Sequence, residues 1–250
     1  LGVITYFFQS TIENYFEPLA RLVDRRDAVC LMQTWNPDKD GFNLREIERI
    51  IDENPDGIIF ETPFHNSYEK EVFKLLKGRN VCLTFIPRLD MDSLPFSAVF
   101  VDYVHMLTQA FTYFREKGRD NILILGTGPE LFPRDRFFVE SAAVAAGLPM
   151  RNIGYMGFRE PMERPESLST LFSGRERPTA IFGFSDYFVY HVMERLRAQA
   201  PDADVEAVGV YDLHWSKMPG REFHSFDMNF QAVWEKAVDK VFSGGRKETQ

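Results

Sequence analysis

Cysteine is scarce: two in 250 residues, Cys30 and Cys82. That excludes a disulfide framework and a paired-thiolate zinc site. Both sit in apolar runs (Val29-Cys-Leu31 and Val81-Cys-Leu83), which reads as two buried free thiols in a reducing compartment. No run approaches about 18 apolar residues, so no helical membrane span is expected, and no signal peptide is visible. Basic clusters are missing as well. Arg25-Arg26 and Arg175-Glu-Arg177 are short, and the net charge is −8, so this segment lacks the footprint of a nucleic-acid binder. The acidic excess fits solvated helix faces. Catalytic signatures are absent too. His65, His105, His191, His214 and His224 have no evident Ser or Cys nucleophile partner. Gly126-Thr-Gly128-Pro129 lacks the third glycine of a dinucleotide fingerprint, and there is no phosphate loop and no His-Glu-x-x-His. The expectation is a protein that is not an enzyme and carries no metal and no cofactor. Tryptophan is rare against 24 Phe, so Phe must fill the cores and can also line a pocket.

What is present is alternation. Strands are read at 1–6, 28–34, 56–60, 81–86, 98–101, 121–125, 153–158, 181–182, 205–210 and 223–226. Helices are read at 15–26, 44–53, 68–76, 105–117, 134–146, 168–172, 186–196 and 230–242, with Gly118 and Gly147 as stops. The strands are near-continuous apolar runs, which marks burial on both faces of parallel sheets. Alternating β and α implies right-handed crossovers. A closed eightfold barrel is the competing architecture. Against it stands Pro87–Pro95, a stretch with no element of its own, where two lobes would be hinged. Thr179-Ala-Ile-Phe-Gly-Phe-Ser-Asp-Tyr187 is the sharpest local signal. A short apolar strand ends in small and polar residues, and a helix starts at once with Ser185 or Asp186 as N-cap. Ligands of open α/β sheets bind at such strand ends, facing helix N-termini.

Six segments resemble, in order, the effector-binding core of the lactose repressor/galactose repressor (LacI/GalR) family of transcription regulators. They are Leu1-Gly-Val-Ile4, Asp56-Gly-Ile-Ile59, Val101-Asp102 through Lys117-Gly118-Arg119 to Ile122–Gly126, Arg134 with Phe138, Arg177-Pro-Thr-Ala180 with Asp186, and Val208-Gly-Val-Tyr-Asp212. The resemblance covers almost the whole chain. It departs at Trp234, where the family has Gly, at Ser185, where it has Asn, and at the extra residue before Asp212.

The resemblance implies a periplasmic-binding-protein type I fold: α/β, two lobes, each a parallel sheet with helices on both faces. Residues 1–101 plus 227–250 would form the N-terminal lobe and 102–226 the C-terminal lobe. The chain would cross between them near Val101, near Phe184 to Met218, and near Phe226. A helix-turn-helix that reads operator DNA is expected upstream of Leu1. The implied function is sensing of a sugar or similar small polar metabolite, or a purine-like one, bound in the interlobe cleft of a cytoplasmic homodimer with no membrane contact. The alternative is an extracytoplasmic sugar-binding component of an ABC transporter, and a distant third is a sugar-active enzyme. Ligand contacts are expected from Arg134, Asp212, Ser185, Phe158, Tyr15, Phe16, Asp102, His105 and Trp35. Arg134 would offer five fixed donors, and Asp212 a carboxylate for neighbouring hydroxyls. Asp102 is read as either a ligand contact or an N-cap, Asp186 as a helix cap, and the aromatics as pocket walls or core. The dimer would use the 44–53 and 68–76 helices, where Phe42 and Ile50 exceed one sheet-facing stripe.

Overall fold

The computed structural model describes residues 1–6, 12–35, 44–61, 69–85, 94–126, 133–157, 164, 166–174 and 177–243. In chain order its elements are β1 (Gly2–Tyr6), α1 (Ile12–Asp24), β2 (Leu31–Trp35), α2 (Leu44–Asp52), β3 (Ile58–Glu61), α3 (Glu69–Leu76), β4 (Val81–Phe85), β5 (Ser97–Phe100) and α4 (Tyr103–Glu116). They continue with β6 (Ile122–Gly126), α5 (Pro133–Ala145), β7 (Ile153–Gly157), α6 (Glu166–Ser173), β8 (Ala180–Gly183), α7 (Asp186–Gln199), β9 (Glu206–Val210), β10 (His224–Phe226) and α8 (Phe230–Phe242). Two 3-10 turns, Met150–Asn152 and His214–Lys217, complete the described elements. The chain divides into two compact units, Leu1–Val101 with Asn229–Gln250, and Asp102–Met228.

Each unit holds one five-stranded sheet. The orders are β2-β1-β3-β4-β5 and β10-β9-β8-β6-β7, and the described pairings are all parallel. Counted from its own first strand, each sheet reads 2-1-3-4-5, so both place a switch point beside their first strand.

In the first sheet Ile4, Ile58, Phe60 and Leu83 pack with Ile47 and Ile50 of α2 and Val72 and Leu76 of α3. Strand alternation turns Val3, Ile59 and Cys82, all fully buried, to the other face, which α8 covers with α1 packed against it. In the second sheet Leu123, Leu125 and Ile181 pack with Leu168 and Phe172 of α6 and Val189, Val192 and Leu196 of α7. Ile122, Ile124 and Phe182 take the opposite face. These are the two-faced parallel sheets that the apolar runs demand.

Four expectations are corrected. The hinge is not at Pro87–Pro95: β5 pairs with β4 and extends the first sheet to Phe100, ahead of the boundary at Val101/Asp102. The chain does not cross between units near Phe184 to Met218, because β8 and β9 pair in the same sheet and Asp102–Met228 is continuous. Cys30 is only half-buried, while Cys82 is buried and its thiol is pushed up to about 12 by loss of solvation; both are free. Ile50 is buried at 5 % exposure, not left over on the surface. It reaches β1 because Gly2 has no side chain: a Cβ there would stand 2.8 Å from Ile50 Cγ2. Leu44, Ile51, Phe73 and Leu75 are half-buried against the same core, and Phe73 meets Phe96 edge-on at 5.2 Å. Phe42 lies outside the described residues.

Candidate functional site

The carboxyl edge of the second sheet collects the polar groups. Read along the strand order, β10 leads to Asp227, β9 to Asp212 and β8 to Ser185, while the residues directly after β6 and β7 lie outside the described ones. The α4 N-terminus borders this edge, since the Tyr103 ring stacks 6.1 Å from Phe184 just past β8. Asp102 caps α4 by accepting from His105 N–H at 2.9 Å, so the cap is the role its geometry supplies. His105 is exposed and lies one helical turn from Gln109, with 3.1 Å between their side-chain nitrogens.

Ser185 is the N-cap residue of α7, but its hydroxyl makes no capping bond. It is buried at 4 % exposure, and its Oγ finds no partner among the described residues. A buried hydroxyl without a partner is costly, and it sits beside the switch point between β6 and β8. Tyr103, Phe138, Phe182 and Phe184 form an aromatic cluster next to it in the chain, with Phe182 edge-on to Phe184 at 5.2 Å, Tyr103 stacked 6.1 Å from Phe184 and 6.3 Å from Phe138.

Asp186 is not the helix cap. Its carboxylate is fully buried, accepts from Leu213 N–H at 2.7 Å and takes the Ser225 hydroxyl at 2.7 Å. It therefore joins the start of α7 to β10 and to the turn after β9. Gly209 makes this possible, because a Cβ on that strand glycine would overlap Asp186 Oδ1. Burial pushes the Asp186 carboxyl up to about 6. Hydrogen bonds from Ser225, Leu213 and Ser216 act in the opposite sense, and the Asp212 charge adds to the rise. A folded-state value above the ordinary carboxylate value means this group's share of stability is complete below about pH 4. That share is lost as pH rises through about 6. Relative to Asp186→Asn, the wild-type chain is expected to lose on the order of 2 kcal/mol between pH 4.5 and 7.5. His191 has the opposite sense, because burial lowers it, so the difference between the two proteins' urea curves isolates Asp186. Parallel pH profiles for the two would contradict the assignment.

Asp212 is half-buried, at a left-handed φ of 50°, and its Oδ2 pairs with Lys217 Nζ at 2.7 Å. Arg134 is the second residue of α5, but its side chain lies outside the described residues. So do Phe158 and the side chains of Tyr15 in α1 and Trp35 at the end of β2; Phe16 is half-buried in α1. Ser185 and Asp212 are thus brought to adjacent strand ends, with Asp102 and His105 at the border. The sequence reading missed the clamp made by Asp186 and Ser225. Its one visible signal was Gly209 inside a mostly apolar strand. Among the described residues no group of His, Cys, Asp and Glu could hold a metal ion, and no helix is long and apolar enough to cross a membrane. A cavity of about 560 Å³ lies at the other edge of the first sheet, lined by Arg26, Asp56, Asn80 and Phe242. Strand amino ends are not where such sheets bind ligands.

A LacI transcriptional regulator from a Rhodococcus species superposes with a TM-score of 0.78 at 20 % identity, over 97 % of this chain and 89 % of that one. The fold is the one LacI-family regulators carry. A LacI-family regulator from Lactobacillus casei with bound glucose superposes at 0.73 and 16 % identity, over 100 % of this chain and 94 % of that one. The lac repressor dimer bound to operator and the anti-inducer ONPF superposes at 0.73 and 14 % identity, over 97 % and 85 %. No protein-family model and no curated protein matches the chain. The two-unit α/β architecture expected from the LacI/GalR resemblance is therefore the observed one.

Proposed function

We propose that this chain is the effector-sensing part of a cytoplasmic transcription regulator of the LacI/GalR type, that it binds a sugar or similar small polar metabolite, and that it works by population shift rather than by chemistry. The observation that carries the reading is the carboxyl edge of the second sheet. There a buried Ser185 hydroxyl lacks a partner among the described residues, beside an Asp212 carboxylate held on a left-handed turn. A hydroxyl and a carboxylate at neighbouring strand ends suit the donor-and-acceptor pattern of a sugar, and Arg134 would add fixed donors. The aromatic cluster supplies an apolar wall.

The test is a thermal-shift panel of D-glucose, D-ribose, D-galactose, adenine and guanine, followed by calorimetry on whichever compound stabilises the chain. Arg134→Ala is expected to weaken binding by more than about 1.5 kcal/mol with little change in unfolding, because truncation leaves buried ligand acceptors unpaired. Equal affinity in the variant would remove Arg134 from the site, and a silent panel would remove the sugar or purine reading. Operator DNA would be read by a segment other than this one, which has no basic stripe.

A twofold homodimer is part of the same proposal. Its support is the dimeric lac repressor of the same fold, since the apolar remainder once expected on α2 is buried within the unit. Sedimentation equilibrium at tens of micromolar is expected to give twice the 29.0 kDa chain mass. A clean monomer would reject the dimer.

A further inference from the structure

Three consecutive amides after β9 are each tied to a different acceptor. Tyr211 N–H donates to the Phe226 carbonyl at 2.8 Å, Asp212 N–H to Ser225 Oγ at 3.0 Å, and Leu213 N–H to Asp186 Oδ2 at 2.7 Å. Ser225 passes the chain on, donating its own hydroxyl to Asp186 Oδ1 at 2.7 Å. The backbone they hold is unusual. Tyr211 has φ 95° and Asp212 φ 50°, a region that residues other than glycine mostly avoid. Such backbone persists where its surroundings over-determine it, and it clusters at ligand clamps.

The clamp leaves one carboxylate outside. Asp212 gives its amide to the network, while its side chain, 40 % exposed, faces Lys217 in a pair that solvent reaches. A solvent-exposed pair of this kind is weak and readily exchanged for another partner. Asp186, by contrast, is wholly consumed by the turn. Oδ2 takes Leu213 N–H, Oδ1 takes the Ser225 hydroxyl, Ser216 adds a further hydrogen bond to the carboxylate, and Gly209 gives it room against β9.

We propose that Asp186 is a positioning residue for effector binding: through Leu213 and Ser225 it fixes the left-handed turn that presents the Asp212 carboxylate at the carboxyl edge of the second sheet. The proposal rests on the reading of Asp212 as an effector contact. The clamp requires a carboxylate and not merely a polar side chain. An asparagine accepts from one of the two donors only and turns an N–H₂ toward Ser225, whose oxygen already accepts from Asp212 N–H. The Ser225 proton then loses its acceptor, and the order of donors along the turn inverts.

Asp186→Asn, Ser225→Ala, Asp212→Asn and the Asp186→Asn/Asp212→Asn pair would be compared in the full chain. Without ligand, amide exchange and the HN–Hα couplings of residues 211–213 are read by NMR. With D-glucose, D-ribose and guanine as probes, affinity is read by calorimetry. Asp186→Asn and Ser225→Ala are expected to speed exchange of the Asp212 and Leu213 amides about tenfold or more, with the amides of β6 and β8 unchanged. Asp186→Asn is expected to weaken the bound probe about tenfold, as Asp212→Asn does, and the double variant no further, because both act through one carboxylate. A group that only supported the fold would lower stability and leave probe affinity alone. Ser225→Ala breaks the relay without touching a buried charge, so the test survives if Asp186→Asn fails to fold. Unchanged exchange at Asp212 and Leu213, or full affinity in Asp186→Asn where Asp212→Asn loses it, overturns the proposal. If no probe binds the wild-type chain while exchange at the turn responds, the effector reading of Asp212 falls and the fixing of the turn by Asp186 stands.

Discussion

Trp234→Ala is expected to cost about 3–5 kcal/mol and to unfold the first unit ahead of the second. Trp234 is fully buried on α8, and Val233, Ala237, Val238 and Val241 bury beside it. That helix packs on β3, β4, β5 and α1, so the indole fills the face of the sheet that α2 and α3 do not cover. Gly57 shows how close the packing is, since a Cβ there would overlap Val241. Removing the indole deletes its transfer free energy and leaves a cavity that a rigid parallel sheet cannot close. Urea unfolding followed by probes in each unit should show two transitions, the earlier from β1 to β5, so a single unfolding free energy would not describe the variant. Trp234→Phe should lose much less, because it keeps most of the volume. A Trp234→Ala protein that unfolds in one step at the wild-type midpoint would refute this account.

Gly209→Ala should be nearly as damaging, at about 2–4 kcal/mol, for a different reason. The new methyl claims the space of Asp186 Oδ1 and comes within 2.9 Å of the Phe223 ring. The carboxylate must leave a fully buried position, which orphans the Leu213 amide and the Ser225 hydroxyl together. Removing the displaced group first should remove most of the penalty. In an Asp186→Ala background, which is itself destabilised, the further cost of Gly209→Ala is expected to fall below about 1 kcal/mol. A cost that stays the same with and without the Asp186 side chain would locate the damage in strand packing instead.

The architecture was legible because parallel strands buried on both faces leave a strong trace. Ile122-Leu-Ile-Leu125 is apolar at every position and buried at every position. Gly118 and Gly147 end their helices at φ 70° and 67°, as glycine stops should. The α7 helix outran its expected end at Leu196 and reached Gln199, since good helix formers continue until the residue before Pro201. The site was less legible, because its decisive contacts are long-range. Asp186 looked like a cap from its position, but its partners stand 27 and 39 residues further on. No local pattern announces that a first-turn aspartate will turn away from its own helix. Ile50 failed for a related reason. Helical spacing gives the face a residue points to, while the depth available on that face depends on Gly2, on another element. For Arg134, Phe158, Tyr15 and Trp35 the sequence assignment stands as part of the proposal, and of the two roles expected for Asp102 the geometry supplies the cap.

The boundaries at Val101/Asp102 and Met228/Asn229 also set a timetable for synthesis. The second unit is one uninterrupted stretch, and everything its sheet needs has left the ribosome once Met228 is through. The first unit is made in two instalments. Its five strands emerge before any of the second unit, but the helix that covers β3, β4 and β5 is translated only after the whole of the second unit. Nascent chains usually mature from the front, and this one inverts the order. The first unit's strands are made before the second unit and sealed after it, and until α8 arrives the face formed by β3, β4 and β5 is open to chaperones, to proteases and to its neighbours on the same message.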